Sequence, residues 1–186
     1  LPKNLEDEIK KVEGVKEVNR FIGRRLVLNI NGEESTTYVV GYDPQTGIAK
    51  PFDMTDGTDQ IQENEIVVDE DFARKNNLRL GDTLKMFDND FTVRGLAAGG
   101  NAMVFQYSFI TLSQAEKIFE MQNITNYFLV KGGTSEDIEK NIPGVEAFGK
   151  KKFVDHAQKL IDDNFLPIIL IIMVIGFIVG MAVIGL

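Results

Sequence analysis

A chain of 186 residues with 20 basic and 28 acidic side chains carries a net charge of −8 and has no arginine-rich stripe, which argues against nucleic acid as a partner. It contains no cysteine, so neither a disulfide framework nor a thiolate metal centre can form. Nothing near Leu1 reads as a signal peptide, and a first residue other than Met implies a segment upstream.

Asn4 to Val12 predicts a short helix, with Asn4 as cap, Glu6 to Glu8 at the positive end of its dipole, and Leu5, Ile9 and Val12 on one face. Gly14 stops it, and Val15 begins an extended segment. Arg25 to Ile30 and Thr36 to Tyr42 then read as two strands, and Asn31-Gly32 between them signals a hairpin. At Asp43-Pro44 the character changes. Pro51 to Ala73 holds eight acidic residues and no basic one, which reads as an inserted lobe with a strand at Glu65–Val68 and a helix at about Glu70–Asn76. A second hairpin is expected over Gly81–Arg94, turning at Asp88-Asn89-Asp90, and Gly95–Ala102 reads as a return linker.

Val104–Ile110 and Tyr127–Val130 are expected strands. Ser113-Gln-Ala-Glu116 and Thr134-Ser-Glu-Asp137 are capping-box patterns, the first opening a helix to about Gln122 and the second one that ends before Pro143-Gly144. Val145–Phe148 extends again. Phe153, Ala157, Leu160 and Ile161 lie at helical spacing in Lys151–Asp163, a stalk that meets no breaker until Pro167. From Phe165 to Leu186 there is no charged residue in 22 positions. A helix of that length spans about 33 Å, enough for the hydrocarbon core of a bilayer, so a transmembrane helix is expected at 165–186. Gly176 and Gly180 form a GxxxG pair that lets a second membrane helix approach. One echo runs through the chain. Shifted by 130 residues, Asn4–Val18 overlies Thr134–Phe148, with Glu6, Asp7, Lys10, Gly14 and Val15 repeated as Glu136, Asp137, Lys140, Gly144 and Val145. Each copy is a helix stopped by glycine that feeds a strand, which predicts a lobe of two related halves.

Candidates for chemistry are few. His156, the single histidine, sits opposite the apolar stripe of the stalk with no orienting partner, and reads as a solvated side chain. Gly144 to Lys151 falls one residue short of a phosphate-binding loop, with Lys where Ser or Thr should hold magnesium. The acidic stretch follows no calcium-loop pattern, and a solvated face is the simpler account. Lys150–Lys152 are a weak lipid-headgroup signal, and Asn123-Ile-Thr125 is a glycosylation sequon short enough to arise by chance. No catalytic, cofactor-binding or metal-binding residue is assigned, and no cofactor is expected.

Together, the Glu13-Gly14-Val15 helix end, Glu65–Val68, Leu80-Gly81-Asp82-Thr83-Leu84, Phe91–Leu96, Leu112–Ala115 and Pro143-Gly144-Val145 lead into a stalk and a hydrophobic helix. In this order they resemble the extracytoplasmic domain of ABC transporter permeases of the MacB-like and FtsX-like type. The resemblance implies an α+β extracytoplasmic lobe of two related αβ halves (1–43 and 103–150), an inserted mostly-β lobe (44–102), a stalk helix (151–164) and a transmembrane helix (165–186). It further implies a cell-membrane location with residues 1–164 outside the cytoplasm, a permease dimer in membrane lipid, and a separate ABC ATPase subunit. The chain itself would be noncatalytic. It would couple ATP-driven helix motion to export or extraction of a peptide, antibiotic, lipoprotein or lipid, with Phe153, Ala157, Leu160 and Ile161 as the coupling stalk. The alternative within the family is a regulatory ectodomain that activates a cell-wall hydrolase or senses a ligand. A membrane-anchored metalloenzyme would rest on the acidic stretch alone.

Overall fold

The structure is a computed structural model that describes residues 1–99, 106–149, 152, 166–175 and 177. The chain divides into two units. The first comprises Leu1–Lys11 and Val15–Gly132, the second Val12–Gly14 and Gly133–Leu186.

Among the described residues, the first unit is built on one mixed sheet of eight strands. In chain order these are β1 (Val15–Ile30), β2 (Glu33–Tyr42), β3 (Asp53–Gly57), β4 (Glu65–Asp69), β5 (Thr83–Met86), β6 (Asn89–Ala98), β7 (Tyr107–Thr111) and β8 (Tyr127–Gly132). Across the sheet the order is β3-β6-β4-β7-β2-β1-β8, with β5 also beside β6. The β2–β7 and β4–β6 pairs are parallel and the remainder antiparallel. With helices α1 (Leu5–Ile9), α2 (Glu70–Lys75) and α3 (Leu112–Ile118), this is an α+β fold.

Alternation along the strands sorts side chains between two faces. One face carries Ile22, Leu28, Val39, Ile66, Val68, Phe91, Val93 and Ile110, closed over by Phe72 and Ala73 of α2 and by Ala115 and Phe119 at α3. The other carries Val40, Tyr42, Val67, Ala97 and Phe109, with Ile61, Ala49 and Met54 brought over it by the 43–64 segment. Because both faces are covered, β4 reads as an unbroken apolar run, Ile66-Val67-Val68, instead of alternating.

The hairpin at Asn31-Gly32 forms as predicted. Both turn residues take positive φ (55° and 89°), the geometry a two-residue turn needs and Asn-Gly supplies. The Gly81–Arg94 hairpin also forms, turning at Phe87-Asp88, one residue earlier than expected. The helix at Glu70 begins at Asp69, whose side chain accepts hydrogen bonds from the N–H groups of Asp71 and Phe72.

Elsewhere the expected boundaries move. The first helix is only Leu5–Ile9, and Asn4, itself in helical backbone, makes no capping hydrogen bond. β1 runs unbroken from Val15 because Val15–Phe21 pair with β8 while Ile22–Ile30 pair with β2. Gly95–Ala98 are not linker but the end of β6. Small residues stand there because neighbours press close. A Cβ on Gly95 would lie 2.6 Å from both the Met54 methyl and the Thr58 carbonyl oxygen. α3 is capped by Thr111, two residues before the expected Ser113, since the chain enters the helix straight from extended β7. Glu116, expected to close that capping box, turns to Arg20 instead.

In the second unit, α4 (Ser135–Asn141) has the expected cap, the Thr134 hydroxyl accepting from the Asp137 N–H at 3.1 Å. Ile138 and Ile142 are buried. Val145–Phe148 forms no strand. Residues 166–175 are helical and every one of them is exposed. No helix among the described residues is long and apolar enough to cross a membrane, and the rest of the expected span lies outside them.

Candidate functional site

The two-residue turn makes Ile30 and Glu33 a hydrogen-bonded pair. Counting back in twos, Leu28, Leu26, Arg24 and Ile22 turn their backbone N–H and C=O toward β2. The odd residues turn toward β8, as the Phe21 carbonyl shows by accepting the Asn126 N–H at 3.1 Å and the Thr125 hydroxyl at 2.8 Å. Arg20 and Val18 therefore point to the β2 side. β2 has already ended there. Its ladder stops at Ile22↔Gly41, and Asp43-Pro44 leads the chain away before Asp43 can pair with Arg20. No described residue hydrogen-bonds the backbone of Val18 or Arg20 on that edge.

A notch results, floored by the overshooting strand. One cavity of about 510 Å³ is lined by Val15–Arg20, by Glu6 and Lys10 of α1, by Asp43, Thr46 and Ile48, and by Leu112. A second of about 510 Å³ shares Arg20, Asp43 and Leu112 and extends past Tyr42 to Gln60–Gln62 and Glu116. Arg20 stands at the junction. Its Nε lies 3.4 Å from Glu6 Oε2 and its Nη1 contacts Glu116 Oε1. Lys10 Nζ reaches Glu6 at 2.6 Å, and Lys3 Nζ lies 3.7 Å from Glu116. With Arg20 and Glu116 only 14% and 16% exposed, the network fixes α1 and α3 against β1 at one end of the notch. Below it, the Tyr42 hydroxyl donates to the Asp59 carbonyl, and burial, followed by the nearby Asp59 charge, raises its pKa far above the usual phenol value.

The residues singled out from sequence fare differently. Gly176, Gly180, Phe153, Ala157, Leu160, Ile161 and His156 lie outside the described residues, as do Lys150 and Lys151. Lys152 places its ammonium 5.4 Å from the centre of the Phe148 ring. The acidic residues are spent singly. Glu65 holds Arg94 at 3.0 Å, Glu63 holds Lys117 at 2.6 Å and Asp69 caps α2, its pKa raised by burial against the lowering effect of the Phe72 and Asp71 N–H groups. Among the described residues no three carboxylates converge on a metal-sized space. In the sequon, Thr125 is buried and its hydroxyl bonds the Phe21 and Tyr127 carbonyls, so its role is to fasten β8 to β1. Nothing in the sequence alone gives Val18, Arg20, Asp43 or Leu112 a role in a site. The signal lay in the unequal arms around Asn31-Gly32: Pro44 limits one arm, while the other reaches back to Val15.

A family model described as the MacB-like periplasmic core domain matches residues 1–145. Two solved structures share the fold. The extracellular domain of the noncanonic ABC-type transporter YknZ from Gram-positive bacteria is 16% identical, with a TM-score of 0.57 over 88% of this chain and 83% of that one. The periplasmic region of MacB from Actinobacillus actinomycetemcomitans is 14% identical, with a TM-score of 0.54 over 88% and 73%. No match is found among curated proteins. With a family match over most of its length and the same α+β fold, the chain belongs to the MacB-like periplasmic core domains of ABC transporter permeases.

Proposed function

We propose that this chain is the extracytoplasmic module of a permease that converts ATP-driven motion of membrane helices into changed spacing of its outer lobes, and so exports or extracts a peptide, antibiotic, lipoprotein or lipid. The observation that carries this reading is the family match over residues 1–145, followed beyond residues 146–164 by a run of 22 uncharged, apolar residues. A permease dimer in membrane lipid and a separate ATPase belong to the same proposal. So do the transmembrane helix at 165–186, its Gly176–Gly180 packing face, and the stalk carrying Phe153, Ala157, Leu160 and Ile161.

The proposed division into two halves (1–43 and 103–150) around an inserted lobe (44–102) draws support from the sequence echo. In both copies a helix is followed by glycine in the left-handed region, Gly14 at φ 81° and Gly144 at φ 84°. Coupling is tested in the full permease, reconstituted with its ATPase. Replacing Leu160 and Ile161 by glycine is expected to abolish transport while ATP hydrolysis continues. Unchanged transport would overturn the mechanism.

A second reading, a regulatory ectodomain that engages a cell-wall hydrolase or a ligand, is favoured by the open notch beside Arg20. A Thr46→Trp variant that fills the notch separates the two. Regulation is lost and transport kept if the notch serves a regulatory partner.

A further inference from the structure

We propose that the open edge of β1 at Val18 and Arg20 takes up an extended peptide segment of a partner protein as an added strand. The proposal concerns this chain alone and does not depend on the transport reading.

Three observations carry it. First, two successive β2-facing positions offer an N–H and a C=O each with no partner among the described residues, in register with the ladder that β2 makes from Ile22 onward. Val18 is only 6% exposed and lines the cavity. Nearly buried backbone groups are almost always satisfied, and a neighbouring strand is what satisfies them at a sheet edge. Second, the space is bounded as a strand's would be. Val18 and Arg20 share the face of α1 and α3, while Glu17 and Asn19 share the face over which Ala49 packs. An inserted strand would therefore present alternate side chains to a helical wall bearing Leu112 and to a loop wall bearing Thr46 and Ile48. Third, the charge balances. Lys10, Lys16 and Arg20 stand against Glu6, Glu17 and Asp43 around the same cavity. That neutrality disfavours phosphate, an anionic headgroup or a divalent cation, and suits a main chain that is itself neutral. Affinity would come from backbone hydrogen bonds, and selectivity from the alternate side chains.

The test is residue-resolved amide hydrogen exchange on the full chain in detergent micelles. The probe is a pool of acetylated, amidated hexapeptides with valine, threonine, glutamate or lysine at each position. In the free chain the Val18 and Arg20 amides should exchange faster than those of Asn19 and Phe21, which face β8. The pool should slow Val18 and Arg20 by about tenfold and leave Asn19 and Phe21 unchanged. The same pool with every amide N-methylated should do nothing, because it retains the side chains while its methyl groups bar close approach to the edge and remove the donors to the Val18 and Arg20 carbonyls. In Thr46→Trp the slowing should vanish while Asn19 and Phe21 stay protected, which shows that the fold is intact. Three results would each overturn the proposal. Protection of Val18 and Arg20 in the free chain at every concentration would mean that the chain fills its own notch. Protection that grows with chain concentration would assign the edge to a second copy. No response to millimolar pool would leave the edge without a peptide partner.

Discussion

Placing a methyl group on Gly41 tests whether α3 sits on the sheet as tightly as the notch requires. Gly41, opposite Ile22 in the β1–β2 ladder, lies under α3. A Cβ there would fall 2.5 Å from the Cβ of Ala115 and 3.3 Å from the Cα of Leu112. Two carbon atoms rest at about 3.5–4.0 Å, so α3 must rise by roughly 1 Å. Ala115 is fully buried, and overpacking at such a site costs about 1–3 kcal/mol. The reverse change, Ala115→Gly, costs about 1 kcal/mol in helix propensity and about 0.8 kcal/mol for the lost buried methyl. In the double variant the new methyl at position 41 occupies the space vacated at 115, so its cost should fall about 2 kcal/mol short of the sum. Urea-denaturation midpoints of the four chains give the cycle. Additivity within about 0.5 kcal/mol would mean that α3 and β2 do not constrain each other, and the account of the notch wall would fail.

Three further perturbations follow from named contacts. Arg20→Met leaves Glu6 and Glu116 with only Lys10 and Lys3, and should cost about 2 kcal/mol, less than the loss of a fully enclosed pair; adding Glu116→Gln should recover part of it in the same urea assay. Tyr42→Phe removes the hydroxyl bond to the Asp59 carbonyl and should cost about 1 kcal/mol at neutral pH. Because the Tyr42 pKa is raised in the folded chain, its stabilising effect is complete below the ordinary phenol value of 10.0 and declines as pH rises above it, so the variant should lose less stability between pH 10 and 11 in thermal melts. Asp69 also has a raised folded pKa, so its ionisation opposes folding as pH rises through the carboxylate range. Asn can cap α2 without titrating, and Asp69→Asn should gain on the parent from pH 3 to pH 7 in thermal melts, whereas a constant difference would refute the assignment.

What the sequence makes legible here is whatever one segment decides by itself. Asn31-Gly32 fixes its hairpin because the backbone angles belong to those two residues, and Asp69 and Thr134 cap because the side chain reaches an N–H two or three positions on. The misread places are those where a distant partner decides. Gly95–Ala98 look like linker until Met54 and Thr58 are seen pressing on them, and Ser113 looks like a cap until β7 delivers Thr111 first. The notch belongs to the second kind. Residues 15–21 would read as an ordinary strand beside β8, and only the early exit of β2 at Pro44 makes the opposite edge available. Motif searches look for side chains, and neither Val18 nor Arg20 offers a signature of that type. Their function, on the reading argued above, resides in the main chain, and a main-chain site becomes visible only when the ladder on both sides of a strand is counted residue by residue.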